Sequence, residues 1–171
     1  FLPNKLIISL FDGIGHRKKV KTKKGNIIFF CPGKIPMWRA DNFFENEPET
    51  IEWIDKFSPK TVFWDIGANV GIYSIYAGLN PKLKIFSFEP AANNFHLLNH
   101  NIIINNMDER INALCVAFSD QTQFSKFYMS DIEAGSAHHS FGKPVNQFGK
   151  ELNYQYSQSM IAYSIDDFLT Q

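Results

Sequence analysis

The sequence predicts an α/β domain with a Rossmann-like, doubly wound and mostly parallel sheet, preceded by an N-terminal cap of a helix and a hairpin. Three observations predict it. An apolar run, Val62-Phe63-Trp64-Asp65-Ile66, leads into a turn with glycine at 67 and 71 and then into a short helical stretch, Ile72 to Ala77. A second apolar run, Ile85 to Phe88, ends on Glu89, twenty-four residues after Asp65. Strand-like and helix-like stretches then alternate, which implies parallel strands joined by right-handed crossovers. In that architecture ligands sit beyond the carboxyl ends of the strands, at the point where strand order reverses.

Taken in order, residues 1–15 predict a short amphipathic helix ending near Gly13 or Gly15. Val20 to Phe30 predicts a hairpin turning at Lys23-Lys24-Gly25-Asn26. Pro32, Gly33 and Pro36 are expected to break regular structure. Residues 1–45 then form the cap and 46–171 the N-terminal part of the nucleotide-binding domain. Pro48 to Phe57 has helical spacing, with Ile51, Ile54 and Phe57 on one face. Thr61 to Ile66 predicts a first strand buried on both faces. Leu83 to Glu89 predicts a second, and Ala92 to Asn105 a helix with Phe95, Leu98 and Ile102 inward. Ile111 to Phe118 predicts a third strand, with Cys115 packed in the core. Phe124 to Met129 and Met160 to Tyr163 are further strand candidates, separated by a Gly-, Ser-, Asn- and Gln-rich stretch of the kind that forms functional loops. Ser164 caps a helical turn over 164–169.

Composition excludes several classes. With 44% hydrophobic and 20% charged residues the chain of 171 residues is globular, and it can bury a sizeable core. Seventeen Lys+Arg balance seventeen Asp+Glu, so net charge gives no case for nucleic acid. Arg17-Lys18-Lys19 with Lys21, Lys23 and Lys24 read as a solvated hairpin face, the alternative being a patch for an anionic substrate or membrane surface. No run is long enough to span a membrane. The apolar stretch 1–11 lacks a basic leader and a cleavage site. Two cysteines make neither a disulfide framework nor a metal spacing, and a cytoplasmic location is expected. His96 and His100 have metal-binding spacing but no third ligand, so no metal is expected.

The glycine turn carries the chemistry. A dinucleotide fingerprint, G-x-G-x-x-G, would need glycine at 69 and 72, where this chain has Asn69 and Ile72. A pyrophosphate needs the close approach that the missing glycine gives. S-adenosyl-L-methionine has no phosphate, so Asn69 is compatible with it. Asp65 is placed to orient the turn or to hold that cofactor's amino group, and Glu89 to accept from both ribose hydroxyls. Pro90, Ala117 and Phe118 are candidates for an apolar adenine slot.

These residues carry a resemblance. Trp64-Asp65-Ile66-Gly67-Ala68-Asn69-Val70-Gly71, then Phe88-Glu89-Pro90, then Ala117-Phe118-Ser119-Asp120, resemble the FkbM family of S-adenosylmethionine-dependent methyltransferases. Glu47-Pro48-Glu49 and Ser164-Ile165-Asp166-Asp167-Phe168 resemble it as well, so the likeness covers about residues 45–170. The resemblance implies a class I methyltransferase fold and cofactor binding by Asp65, Gly67, Ala68, Asn69, Gly71, Glu89, Pro90, Ala117 and Phe118. It also implies O-methylation of a sugar, polyketide or similar small molecule, with no nucleic-acid partner. The family pattern continues into a strand carrying Lys-Ile-Asp and then Glu-Gly, and this chain ends at Gln171 before it, so the chain is expected to be part of a longer domain. No catalytic base is assigned; Asp131, Glu133, His138 and His139 are candidates by residue type alone. Two alternatives are a nicotinamide-dependent oxidoreductase, disfavoured by Asn69 and Ile72, and a non-catalytic nucleotide-fold module.

Overall fold

A lysine-rich strand and an apolar one pair as a hairpin. Strands β1 (Arg17–Thr22) and β2 (Gly25–Phe30) are antiparallel, with Thr22 opposite Gly25, so Lys23 and Lys24 alone make the turn. The computed structural model describes Pro3 and residues 16–171; the helix expected over 1–15 lies outside the described residues. Val20, Ile27 and Phe29 turn inward and join the main core. Lys18 pairs with Asp41, and Lys23 and Lys24 with Asp55, so part of the basic face is neutralised locally.

A helix, α1 (Lys34–Asp41), follows where Pro36 was expected to break structure. Pro36 lies in its first turn, where an N–H would have no intrahelical partner, so the ring is tolerated. Helix α2 (Pro48–Asp55) starts on its proline and buries Ile51 and Ile54.

The parallel sheet has the order β3-β4-β5, formed by β3 (Val62–Ile66), β4 (Lys84–Phe88) and β5 (Ile111–Leu114). Helices α3 (Ile72–Ala77) and α4 (Ala92–Ile104) are its crossovers. Strand β3 is not buried on both faces: Phe63 and Asp65 are inside, whereas Val62 and Ile66 are each more than half exposed. Among the described residues it pairs only with β4, and its outer face is covered mainly by a cluster of Trp64, Phe88, Phe118 and Phe168.

The strand expected over 111–118 breaks at Cys115-Val116, and Cys115 is exposed rather than packed. The chain there leaves the first sheet for a second, of order β6-β9-β7-β8. Its strands are β6 (Ala117–Phe118), β7 (Gln123–Met129), β8 (Ser140–Phe141) and β9 (Tyr156–Tyr163). Strands β7–β9 and β7–β8 are antiparallel, and only β6–β9 is parallel. The mostly parallel expectation is therefore corrected to an α/β fold with one parallel and one mixed sheet. The physical reason is visible in β7 and β9, which bury alternate residues (Phe127 and Met129; Met160 and Ala162) as one-sided antiparallel strands do. Helix α5 (Ile165–Phe168) closes the described chain, with the Ser164 side chain accepting from the Asp167 amide.

The hairpin is tied to the sheet by asparagines of α4. Asn101 accepts from the Phe30 amide (2.8 Å) and donates to the Val70 carbonyl (2.8 Å). Asn105 accepts from the Ile28 amide and donates back to its carbonyl. Asn101 thus links the hairpin to the glycine turn, which fixes the site described next.

Candidate functional site

Gly67, Asn69 and Gly71 all have positive φ, at 82°, 52° and 88°. Glycine takes such values freely and asparagine is among the few other residues that tolerate them. The alternation folds the chain between β3 and α3 into a tight loop whose amides point toward the end of β4. The Gly67 and Ala68 amides donate to the Phe88 carbonyl at 2.8 and 3.0 Å. The Asn69 amide donates to Glu89 Oε2 at 2.7 Å.

Glu89 is almost fully buried, with 3% of its surface exposed. Besides Asn69 it accepts from the Ala91 amide (2.8 Å) and from Asn94 Nδ2 (3.5 Å), both through Oε1. Burial pushes its pKa up, and these donors pull it part of the way back. It is a buried carboxylate that ties the glycine turn to the residues leading into α4.

Asp65 faces inward. Its carboxylate accepts from the Ser74 hydroxyl, which also meets Ser87 Oγ at 2.6 Å. Burial raises its pKa to about 6, against the lowering effect of the Ser74 hydroxyl and amide. It orients α3 against β3 through Ser74.

A segment from Glu133 to His139 lies across this arrangement as a strap. Asn69 Nδ2 and Asn94 Nδ2 both donate to the Ser136 carbonyl, at 2.8 and 3.0 Å. The Gly135 amide donates to Asn94 Oδ1 (2.7 Å), and Arg39 Nε donates to the Gly135 carbonyl (2.7 Å). Gly135 has φ of 91°, and a Cβ there would come within 2.9 Å of Ile35, so α1 and the strap meet closely. Ser136 Oγ and His139 Nε2 are buried without hydrogen-bond partners among the described residues. Burial lowers the His139 pKa.

Between the glycine turn and α1 is a cavity of about 490 Å³. Gly67, Ala68 and Asn69 form one wall, Trp38 and Arg39 another, and Glu47, Tyr73 and His138 reach its rim. Of the residues the sequence nominated, the structure brings together Gly67, Ala68, Asn69 and Glu89. The others lie apart. Gly71 packs against Leu98, and the Pro90 carbonyl accepts from Gln158 Nε2. Ala117 sits in a second hydrophobic cluster with Ala91, Phe127 and Met160. Phe118 stacks on Trp64, with centroids 5.9 Å apart. Of the candidates named by type, His138 reaches the cavity, His139 ends the strap with its Nε2 buried, and Glu133 accepts from the Ile35 amide. Arg39, Glu47, Tyr73 and Asn94 were missed. Glu47 stands in the Glu47-Pro48-Glu49 segment but was given no role there, and no motif marks the other three, whose positions come from the packing of α1 and the strap onto the turn. His96 is exposed and His100 stacks on Phe30; no group of three metal-ligating side chains occurs among the described residues.

No family model matches this chain, and no curated protein does. It is similar to solved structures of methyltransferases. One is a precorrin-6y C5,15-methyltransferase from Geobacter metallireducens (24% identity, 41% of this chain and 37% of that one, TM-score 0.37). Another is the M. jannaschii tRNA m1G37 methyltransferase (20% identity, 57% and 29%, TM-score 0.40). A third is a SAM-dependent methyltransferase from Agrobacterium tumefaciens (9% identity, 61% and 33%, TM-score 0.41). This chain spans well under half the length of each. The expected partners, a small-molecule acceptor such as a glycan or polyketide and no nucleic acid, are corrected by this comparison. One of these similar structures is a tRNA methyltransferase. No helix among the described residues is long and apolar enough to cross a membrane.

Proposed function

We propose that the chain is the cofactor-binding part of an S-adenosylmethionine-dependent methyltransferase of the FkbM type. The observation that carries this reading is the glycine turn. Positive φ at 67, 69 and 71 folds it back onto the end of β4, with Glu89 beneath it and an open cavity on its other side. Gly67 leaves its wall bare, with nothing within 4 Å of where a Cβ would stand. Asn69 fills the place where a pyrophosphate would need glycine, which supports a phosphate-free cofactor.

In this reading the turn and Glu89 hold the nucleoside. Three of roughly four acceptor positions on the Glu89 carboxylate are taken, which leaves one for a ribose hydroxyl. The bound cofactor supplies an electrophilic methyl group. The chain's own part is to fix the donor, exclude water and hold an acceptor in line with the methyl group, which is where most of the rate gain of such a displacement arises.

The test is labelled-methyl transfer from S-adenosylmethionine by the full-length protein, offered tRNA in one arm and sugar and polyketide hydroxyls in others. Label in any acceptor supports the reading. A protein that binds the donor and labels none of them would favour the non-catalytic module.

A further inference from the structure

We infer that the outward face of β1 binds an extended single strand of nucleic acid, whose phosphates are taken by Arg17, Lys19 and Lys21. This goes beyond the cofactor reading and does not depend on it. Net charge is zero, but the charge is not spread evenly along the chain. From Gly13 to Ala40 there are eight of the seventeen Lys+Arg and no Asp or Glu. The hairpin sorts these cations by face. Lys18 points the same way as the buried Val20 and pairs with Asp41. Lys23 and Lys24, in the turn, pair with Asp55. Arg17, Lys19 and Lys21 alternate with Lys18 and Val20 on the other face. All three are exposed, and none enters an ion pair among the described residues.

Alternate residues of a strand stand about 7 Å apart, a step comparable to that between successive phosphates of an extended strand. The row is held rigid. Val20, Ile27 and Phe29 fix the hairpin in the core, and Asn101 and Asn105 of α4 bond to the β2 backbone. Directly opposite Arg17 is Phe30, whose half-buried ring stacks on His100 with centroids 4.2 Å apart. Burial lowers the His100 pKa, and the charges of His96 and Arg17 lower it further, so cations face one another at this end of the row. A polyanion relieves that repulsion. At the turn end Lys21 shares a cavity with Glu52, which makes it the weakest of the three contacts. Flat side chains beside a row of cations suit bases as well as phosphates. An anionic membrane would call for exposed apolar anchors next to the cations, and the apolar residues of this face, Ile28 and Phe30, are half-buried. Nucleic acid is therefore the better match.

The experiment is fluorescence anisotropy of labelled oligouridylate RNA and oligothymidylate DNA with the full-length protein, alongside sedimentation with phosphatidylserine vesicles. With three phosphates neutralised, log affinity should fall against log salt with a slope of about −2, an about twentyfold loss between about 50 and 200 mM salt. Arg17→Gln and Lys19→Gln should each flatten the slope to about −1.4, an about sevenfold loss over the same range. Lys18→Gln, the same change on the inward face, should leave the slope where it is. RNA and DNA bound alike would assign recognition to the phosphates, and a preference for RNA would add the 2′-hydroxyl; both outcomes support the inference. Absence of oligonucleotide binding at about 50 mM salt, or binding of vesicles alone, overturns it. So does a loss on Lys18→Gln equal to that on Lys19→Gln. The titrations contain no cofactor, so their failure leaves the methyltransferase reading as it was.

Discussion

Glu89→Gln changes one atom of a buried carboxylate and should be felt in stability. The wild-type oxygens accept from three donors, Asn69 N–H on one side and Ala91 N–H and Asn94 Nδ2 on the other. A glutamine offers one oxygen and one NH2. Whichever way it turns, its NH2 meets a donor, and the less costly orientation strands the single Asn69 amide. A buried N–H without an acceptor costs about 1–3 kcal/mol. Relief from burying a charge offsets part of this, so the net loss should be about 1–2 kcal/mol. For a chain of this size that lowers Tm by roughly 2–8 °C, readable by scanning calorimetry. The pH dependence has a definite sign. Burial raises the folded-state pKa of Glu89, so its stabilisation is full below the ordinary carboxylate range and is lost as pH rises through the folded value. Glutamine does not titrate, so the gap between the two proteins should widen from pH 7 to pH 5. A Tm within one degree of wild type, or a gap that closes on acidification, would refute the reasoning.

Three further outcomes are expected. Asp65→Asn should equal or exceed wild type at pH 8, by on the order of 1–3 kcal/mol in urea melts, and lose that advantage at pH 4. The reason is that Asp65 titrates at about 6 when folded and is stable while protonated, and the Ser74–Ser87 hydroxyl pair can reverse to accept from the amide; a wild type more stable at pH 8 would contradict it. Gly71→Ala should cost about 1–3 kcal/mol by thermal melting, because φ is 88° and the new Cβ would stand 2.6 Å from Leu98 Cδ1. Asn94→Ala removes a donor to Ser136 and the acceptor of the Gly135 amide, so limited proteolysis within 131–139 should accelerate, and an unchanged cleavage rate would show that the strap is held by other contacts.

The parallel unit was legible because its signals are local. Val62 to Ala77 carries strand, turn and helix in one stretch, and Glu89 follows at the end of the next strand. Two strands of the second sheet, β7 and most of β9, were legible as strand candidates, but their pairing was not, because β8 has two residues and β9 begins inside a polar stretch and pairs with β7 about thirty residues earlier. Helix α1 was hidden by Pro36, which is disruptive in a helix interior and harmless in a first turn. The glycine turn was legible as a place where the backbone must bend, whereas the partner of Asp65 was not legible. Ser74 lies nine positions on, and only the folded helix brings its hydroxyl to that carboxylate. Arg39 is an ordinary charged residue until α1 is laid beside the turn.

The account stands on what occupies the crevice at the glycine turn, and calorimetry on the full-length protein with S-adenosylhomocysteine and with NAD tests that most directly. Saturable heat with S-adenosylhomocysteine and none with NAD is the predicted result. Binding of NAD, with no response to S-adenosylhomocysteine, would contradict it.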